Sequence, residues 1–169
     1  MEPVLAIVLL ALLAAAVLLV LSYNRFVAQV ASIDATWANI EGELQRRHDL
    51  VPNLVASVQG YVAHERRLFE QVTAARARAI AAVPRSVPME QQARAEDELT
   101  QGLTSLLAVT ESYPQLKSDA VFRDLQRQLV ETEDRISAAR RLYNLEVASY
   151  ERRRRSVPSN VVASTAGFA

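Results

Sequence analysis

The chain offers few residues with which to build a catalytic or metal site. It holds no cysteine and only two histidines, His48 and His64, which excludes a disulfide scaffold, a cysteine zinc site and a thiol nucleophile. His64-Glu65 opens like the helical motif of zinc proteases, which needs a second histidine four residues after the first so that both imidazoles face one metal. Leu68 occupies that position. We therefore predict no metal, no cofactor and no catalytic residue.

Charged residues near the middle of the chain are the first candidates for binding. Arg46 and Arg47 precede His48-Asp49, and Arg47 falls on an otherwise apolar helix face, where a charge is costly unless it is paired. Two interpretations stay open: an ion-pair network between helices, or a site for an anionic group such as a lipid headgroup. The candidate bundle ion pairs are made from Arg47, Glu65, Glu133, Asp134 and Glu146.

A second basic group ends the last predicted helix. Its four arginines either oppose the negative end of the helix dipole or hold anionic headgroups if this end returns to a membrane. The candidate interaction or headgroup residues are thus Arg46, Arg47, Arg152, Arg153, Arg154 and Arg155. Basic and acidic residues balance at 19 each, so the chain lacks the basic surplus expected of a nucleic-acid-binding protein.

The elements that must position these residues begin with an apolar run over residues 4–21. A helix needs roughly 17–25 residues to cross a bilayer core of about 30 Å, so we predict a transmembrane helix over residues 4–23. The alternative is a cleaved signal peptide of a secreted bundle, but residues 1–3 carry no Lys or Arg and the run is long for a signal. Arg25 follows the span, and no Lys or Arg precedes it. This distribution of positive charge favours a cytoplasmic C-terminal domain.

Beyond the span, apolar residues recur at alternating spacings of four and three, the pattern of a helix face that packs in a bundle. Only Arg47 and Glu65 interrupt the first series, which consists of Phe26, Val30, Ile33, Trp37, Ile40, Leu44, Arg47, Val51, Leu54, Val58, Tyr61, Glu65, Leu68, Val72, Ala75 and Ala79. Similar series follow over residues 95–113 and 122–150. Few glycines and prolines, 4 and 6, also argue against an all-β fold.

Pro52 leaves two options open within the first series. Either one long helix kinks there, or Asp49 caps a second helix that carries Pro52 in its first turn. The prolines of residues 83–88 predict a loop, and the last helix is expected from about Gln115 to about Arg155. The predicted organisation is a short N-terminal segment (1–3), a transmembrane helix (4–23), a helical-bundle domain (24–155) and an extended or frayed tail (156–169).

Several blocks of the chain are similar to one bacterial family. They are Gln45-Arg46-Arg47-His48-Asp49-Leu50-Val51-Pro52-Asn53-Leu54-Val55, Gly60-Tyr61, His64-Glu65, Ala74-Ala75-Arg76-Ala77, Tyr113-Pro114-Gln115-Leu116-Lys117, Thr132-Glu133-Asp134-Arg135-Ile136, Ala139-Arg140-Arg141 and Tyr143-Asn144, with Tyr23-Asn24 after the span. In this order they resemble the LemA family of bacterial membrane proteins. The resemblance implies an all-α fold, with one membrane helix and an antiparallel up-and-down bundle of three to four long helices, and it implies no enzymatic activity.

The function predicted first is therefore a non-enzymatic, membrane-anchored scaffold or adaptor in the bacterial inner membrane. Its expected partners are membrane lipid, further copies of itself and other membrane or envelope proteins; Ala11 and Ala15 are a weak signal for helix association. The alternatives are a secreted four-helix bundle that binds a soluble ligand, and a metal-dependent hydrolase that uses His48 and His64.

Overall fold

The structure is a computed structural model that describes residues 1–62 and 64–168. Within these residues it contains helices and no strand, so the prediction of an all-α bundle is confirmed. Four helices are long and two are short: α1 (Glu2–Gln59), α2 (Arg66–Ala82), α3 (Met89–Thr110), α4 (Pro114–Ser118), α5 (Ala120–Arg155) and α6 (Ser159–Thr165). The chain divides into two compact units, one formed by Met1–Asn39 with Ala139–Ala169 and the other by Ile40–Ala138. We call these the membrane-proximal unit and the core unit.

The core unit is a helical bundle whose interior follows the predicted four-three pattern. The C-terminal part of α1, both α2 and α3, the short α4 and the N-terminal part of α5 all contribute to one hydrophobic core. That core is formed by Val51, Leu54, Val55, Val58, Val62, Phe69, Val72, Ala75, Ala79, Leu99, Leu103, Leu106, Leu116, Phe122, Leu125 and Leu129. Burial of such side chains, each worth about 1.5–3 kcal/mol, is the main force that holds the helices together.

The membrane-proximal unit starts with the apolar run. Every side chain from residue 4 to residue 21 is exposed, and α1 is the one helix among the described residues that is long and apolar enough to cross a membrane. The same helix continues beyond the run and packs against the C-terminal part of α5 and against α6. A small aromatic core of Phe26, Val162 and Ala163, with Tyr150 and Phe168 beside it, holds these three segments together.

The structure resolves the question that Pro52 left open, because α1 runs through it without a break. The helix ends instead at Gln59, and α2 begins at Arg66, at a place where the predicted apolar series continued. Tyr61 and Glu65 consequently lie outside both helices and are exposed rather than members of a buried face. Gly60, directly after the last residue of α1, has a low helix propensity and is a common residue at helix C-termini.

The C-terminal segment also differs from its prediction. Residues 159–165 form α6, and Val162 and Ala163 on this helix are buried, so the expectation of an extended or frayed tail was wrong. The segment is uncharged and contains small residues, but its two buried residues meet Phe26. An apolar contact with Phe26 therefore orders a segment whose composition alone suggested no ordered structure.

Candidate functional sites: a buried ion-pair cluster and an arginine-rich helix end

A cluster of charged side chains lies inside the core unit. Arg47 and His48 come from α1, Glu96 and Thr100 from α3 and Glu133 from α5; we call these five residues the Arg47 cluster. Arg47 is 2% exposed, His48 is fully buried and Glu96 is 4% exposed. Arg47, His48 and Glu96 are buried because each lies on the face of its helix that packs in the bundle, near apolar residues such as Leu44 and Leu99. Thr100 and Glu133 are exposed at the edge of the cluster.

Arg47 is the centre of this cluster. Its Nη2 donates to Glu96 Oε2, and its Nη1 donates to Glu133 Oε2 at 2.8 Å and to Thr100 Oγ1 at 3.3 Å. His48 Nε2 lies 2.9 Å from Glu96 Oε1. One guanidinium thus joins three helices of the core unit, since its partners lie on α3 and α5. Charge-assisted hydrogen bonds of this kind have a narrow geometry and are stronger than neutral ones.

The electrostatics favour an ionised Glu96. Burial by itself raises the pKa of this carboxyl, but the hydrogen bond with His48 and the positive charge of Arg47 outweigh burial, and the pKa lies below its usual range. Arg47 Nε and His48 Nδ1 are buried and have no hydrogen-bond partner within the described part of the chain. Because the His48–Glu96 pair is closed off from solvent, it offers no acid or base to an external substrate.

A second arginine explains how α1 tolerates its internal proline. A residue in a helix normally donates its backbone N–H to the carbonyl four residues earlier, and Pro52 has no N–H to give to His48. Arg76 on α2 supplies the missing donor, since its Nε donates to the His48 carbonyl oxygen at 2.6 Å. The proline therefore creates an acceptor that ties α2 to α1 beside the Arg47 cluster.

The other predicted ion-pair residues do not join this cluster. Glu65 is exposed in the turn before α2, Asp134 is exposed on α5 and Glu146 is half-buried in the other unit. Arg46 is exposed on α1. Arg47 was predicted as a possible headgroup ligand, but it does not fit this role. Its side chain is 2% exposed and bound to two carboxylates, so it is not available to lipid.

Sequence reasoning missed Glu96, the most buried carboxylate of the cluster. The predicted apolar series of α3 ran through Ala95, Gly102 and Val109, whereas the buried residues of α3 are Gln92, Glu96, Leu99, Leu103, Leu106 and Thr110. The two series share Leu99 and Leu106 and differ by a small rotation of the helix. The sequence did contain a signal for this pair. Arg47 and Glu96 have opposite charges, and each interrupts the apolar face of its helix, as expected of two residues that pair inside a bundle.

The second candidate site is the C-terminal end of α5 in the membrane-proximal unit. Tyr150 lies edge-on to Phe26 of α1 with ring centroids 5.8 Å apart, and Gln29 Nε2 donates to Ser149 Oγ at 3.2 Å. These contacts bring the end of α5 beside α1, a few residues after the apolar run. The four arginines that follow Tyr150 are thereby placed near the end of the apolar run.

These four arginines are not equivalent. Arg154 and Arg155 both donate to Glu151 Oε2, at 3.1 Å and 3.3 Å, and the hydrogen bond from Arg154 helps to hold the pKa of Glu151 below its usual range. Arg152 is exposed and Arg153 is half-buried. Within the described residues, no carboxylate pairs with Arg152 or Arg153. These two side chains are the ones open to an external anion.

The geometry contains no site for a metal. Among the described residues, no group of three or more His, Asp or Glu side chains is arranged to hold a metal ion. His64 is exposed in the turn before α2, whereas His48 is buried in the Arg47 cluster.

The sequence profile of the LemA family matches residues 36–169, which includes the Arg47 cluster and the end of α5. The chain belongs to the LemA family. Two of its relatives are the magnetosome protein MamQ of Magnetospirillum gryphiswaldense, 27% identical over 99% of this chain and 70% of the relative, and the magnetosome protein MamQ 2 of Paramagnetospirillum magneticum, 28% identical over 89% of this chain and 63% of the relative. The chain thus spans about two thirds of the length of these relatives. Neither the family description nor these names denote an enzyme.

Proposed function

We propose that this LemA-family protein is a single-pass, membrane-anchored helical scaffold without enzymatic activity of its own, located in the bacterial inner membrane. The observation that carries the proposal is the exposed apolar run at the start of α1. An exposed patch of this size is unfavourable in water, and it matches the length of a bilayer core.

The anchor is tested by extracting membranes at alkaline pH and measuring the mass of the intact protein. We expect the full chain to remain with the membrane pellet. A matched variant with Leu9→Arg and Leu13→Arg, which places two charges in the middle of the run, should release the protein. A wild-type product cleaved near Ser22 and found in the soluble fraction would contradict the anchor and support the secreted bundle instead.

We further propose that the C-terminal domain faces the cytoplasm. Arg25 follows the span directly, and the structure brings the arginine-rich end of α5 beside the same part of α1. Lys and Arg are enriched on the cytoplasmic side of membrane helices, and the cytoplasmic leaflet is anionic. Protease should therefore cleave the domain in inverted membrane vesicles and spare it in intact spheroplasts; the opposite pattern would place it outside.

Self-association and contacts with other envelope proteins belong to the same proposal. Val27 and Val30 are exposed on α1, and Ala11 and Ala15 permit close helix packing within the span. Cross-linking in native membranes, followed by mass spectrometry, is the test. We expect links between copies of the chain that decrease in a variant with Val27→Ser and Val30→Ser, and an absence of cross-linked dimers would argue against a homo-oligomer.

A further inference from the structure

We propose that the C-terminal helix α6 is a second membrane contact, which lies in the interfacial layer of the bilayer beside the transmembrane part of α1. The partner is the lipid bilayer that holds the span, so this inference rests on the proposed function. The site consists of α6 with its flanking residues Val157 and Phe168, and we call it the C-terminal platform.

Aromatic contacts with α1 fix the height of the platform. Phe168 stacks on Phe26 with ring centroids 5.0 Å apart and lies edge-on to Tyr23 at 5.4 Å. Tyr23 and Phe26 follow Leu21, the last residue of the apolar run, by two and five residues, or about 3 Å and 7.5 Å along a helix. The headgroup layer extends roughly 5–8 Å beyond each side of the hydrocarbon core. The platform is therefore held at the level of the headgroups.

The platform presents an uncharged surface that includes exposed apolar residues. Val162 and Ala163 face Phe26 and are buried, whereas Val161 and Val157 are 53% and 83% exposed. Residues 156–168 carry no charged side chain. Asn160, Ser164 and Thr165 are exposed as well, so the outer side mixes apolar and small polar residues. An uncharged surface of this kind is suited to the interface, where tyrosine and other amphipathic side chains are also favoured.

Two cations lie shortly before the platform in the chain. They are Arg152 and Arg153, and within the described residues no carboxylate pairs with them. Basic side chains are attracted to an anionic leaflet, and long arginine side chains can reach headgroups while their stems cover apolar surface. The platform thus combines apolar residues for the lipid boundary with two cations for its phosphates.

The experiment uses single-cysteine variants of the full chain, because the native sequence has no cysteine. Val161→Cys on the platform is compared with two controls in the same unit: Leu12→Cys within the apolar run and Leu145→Cys, which is 64% exposed on α5. Each variant is labelled with a nitroxide and reconstituted into vesicles of phosphatidylethanolamine and phosphatidylglycerol. Electron paramagnetic resonance then compares collisions with oxygen, which concentrates in lipid, and with a water-soluble nickel chelate.

We expect the ratio of oxygen to nickel collisions at V161C to be several-fold higher than at L145C and lower than at L12C. A water-like ratio at V161C together with a lipid-like ratio at L12C overturns the platform and leaves the anchor intact. Water-like ratios at both positions overturn the platform and the anchor together. A second variant, V161C with Phe168→Ala, removes the stacking on Phe26, and its ratio should move towards that of L145C.

Circular dichroism of each labelled variant checks that the chain still folds. Val161 and Leu145 are both exposed, so a label at either position leaves the apolar cores intact. The two positions therefore differ in their expected distance from lipid and not in their effect on folding. A V161C ratio that equals the L145C ratio in a fully helical protein contradicts the proposal.

Discussion

In the core unit, Arg47 and Arg76 donate to groups of the protein itself, whereas in the membrane-proximal unit Arg152 and Arg153 end a helix with no carboxylate bound to them among the described residues. Arg47, Arg152 and Arg153 each lie next to another arginine in the sequence, so residue type does not distinguish them. Their environments differ because Arg47 lies on the packed face of α1, while Arg152 and Arg153 follow Ile136, the last buried residue of α5. The position of an arginine relative to the packed surface of its helix therefore separates one that stabilises the fold from one that is open to a partner.

The largest effect that would test this difference comes from removing the buried guanidinium. Arg47→Ala leaves Glu96 buried without its cation, and loss of one partner of a buried pair costs about 3–5 kcal/mol. Thermal or denaturant unfolding in detergent micelles, followed by circular dichroism, measures the change. Arg46→Ala is the matched control, because Arg46 is exposed on the neighbouring position, and it should change stability by less than about 0.5 kcal/mol. Equal losses in the two variants would contradict the role given to Arg47.

Acid should weaken the same cluster. Because the pKa of Glu96 is lowered in the folded protein, the unfolded chain binds a proton more readily than the folded one. The stabilisation is therefore present above the ordinary glutamate pKa of about 4.3 and is lost as the pH falls through the lowered value. Melting temperatures measured from pH 7 to pH 3 should fall more steeply for the wild type than for Glu96→Gln, although E96Q is less stable at pH 7. Parallel profiles would show that Glu96 does not titrate in this way.

The contact between Arg76 and the His48 carbonyl predicts a smaller effect that depends on Pro52. In the wild type, Arg76→Ala leaves this carbonyl without its donor and should cost about 1–3 kcal/mol. In a Pro52→Ala background, the backbone N–H of residue 52 can donate to the same carbonyl, so Arg76→Ala should cost less. A double-mutant cycle measures the coupling between the two positions. If the losses of unfolding free energy in the two single variants simply add in the double variant, the proposed dependence on Pro52 is wrong.

The smallest effect is expected where arginine faces outward. Replacing Arg152 and Arg153 by Gln should leave stability nearly unchanged but reduce the preference of the protein for anionic lipid, by at most about 1 kcal/mol per arginine. Spin-labelled phosphatidylglycerol in reconstituted vesicles reports this preference as its motionally restricted fraction. Arg140→Gln with Arg141→Gln is the control, because it removes the same charge from exposed positions earlier on α5. Equal reductions would indicate a general effect of charge.

Much of the fold could be predicted from hydrophobic periodicity. The spacing of apolar residues located the packed faces of α1 and α5, because an amphipathic stripe has nearly the same phase in the chain and in the bundle. The turn between α1 and α2 was missed for the same reason, since Tyr61 and Glu65 kept the phase although they lie outside a helix. Periodicity reports which side of a helix is apolar and not where the helix ends.

The candidate sites were less predictable. Arg47 could be singled out as a charge on an apolar face, but Glu96 required the rotation of α3, which Leu99 and Leu106 alone did not determine. Arg76 requires a three-dimensional argument as well, because the acceptor that Pro52 frees lies on another helix. The position of α6 depends on Phe168 and Phe26, which are 142 residues apart, and no local signal joins them.

Continuity of α1 through its membrane end has a mechanical consequence. A helix transmits both tilt and rotation along its axis, and residues 2–39 are helical throughout. In a bilayer, a tilt of the apolar run would therefore also tilt Phe26 and the rings that stack on it. Inserting a single alanine after Leu21 would turn the apolar run by about 100° relative to these aromatic contacts.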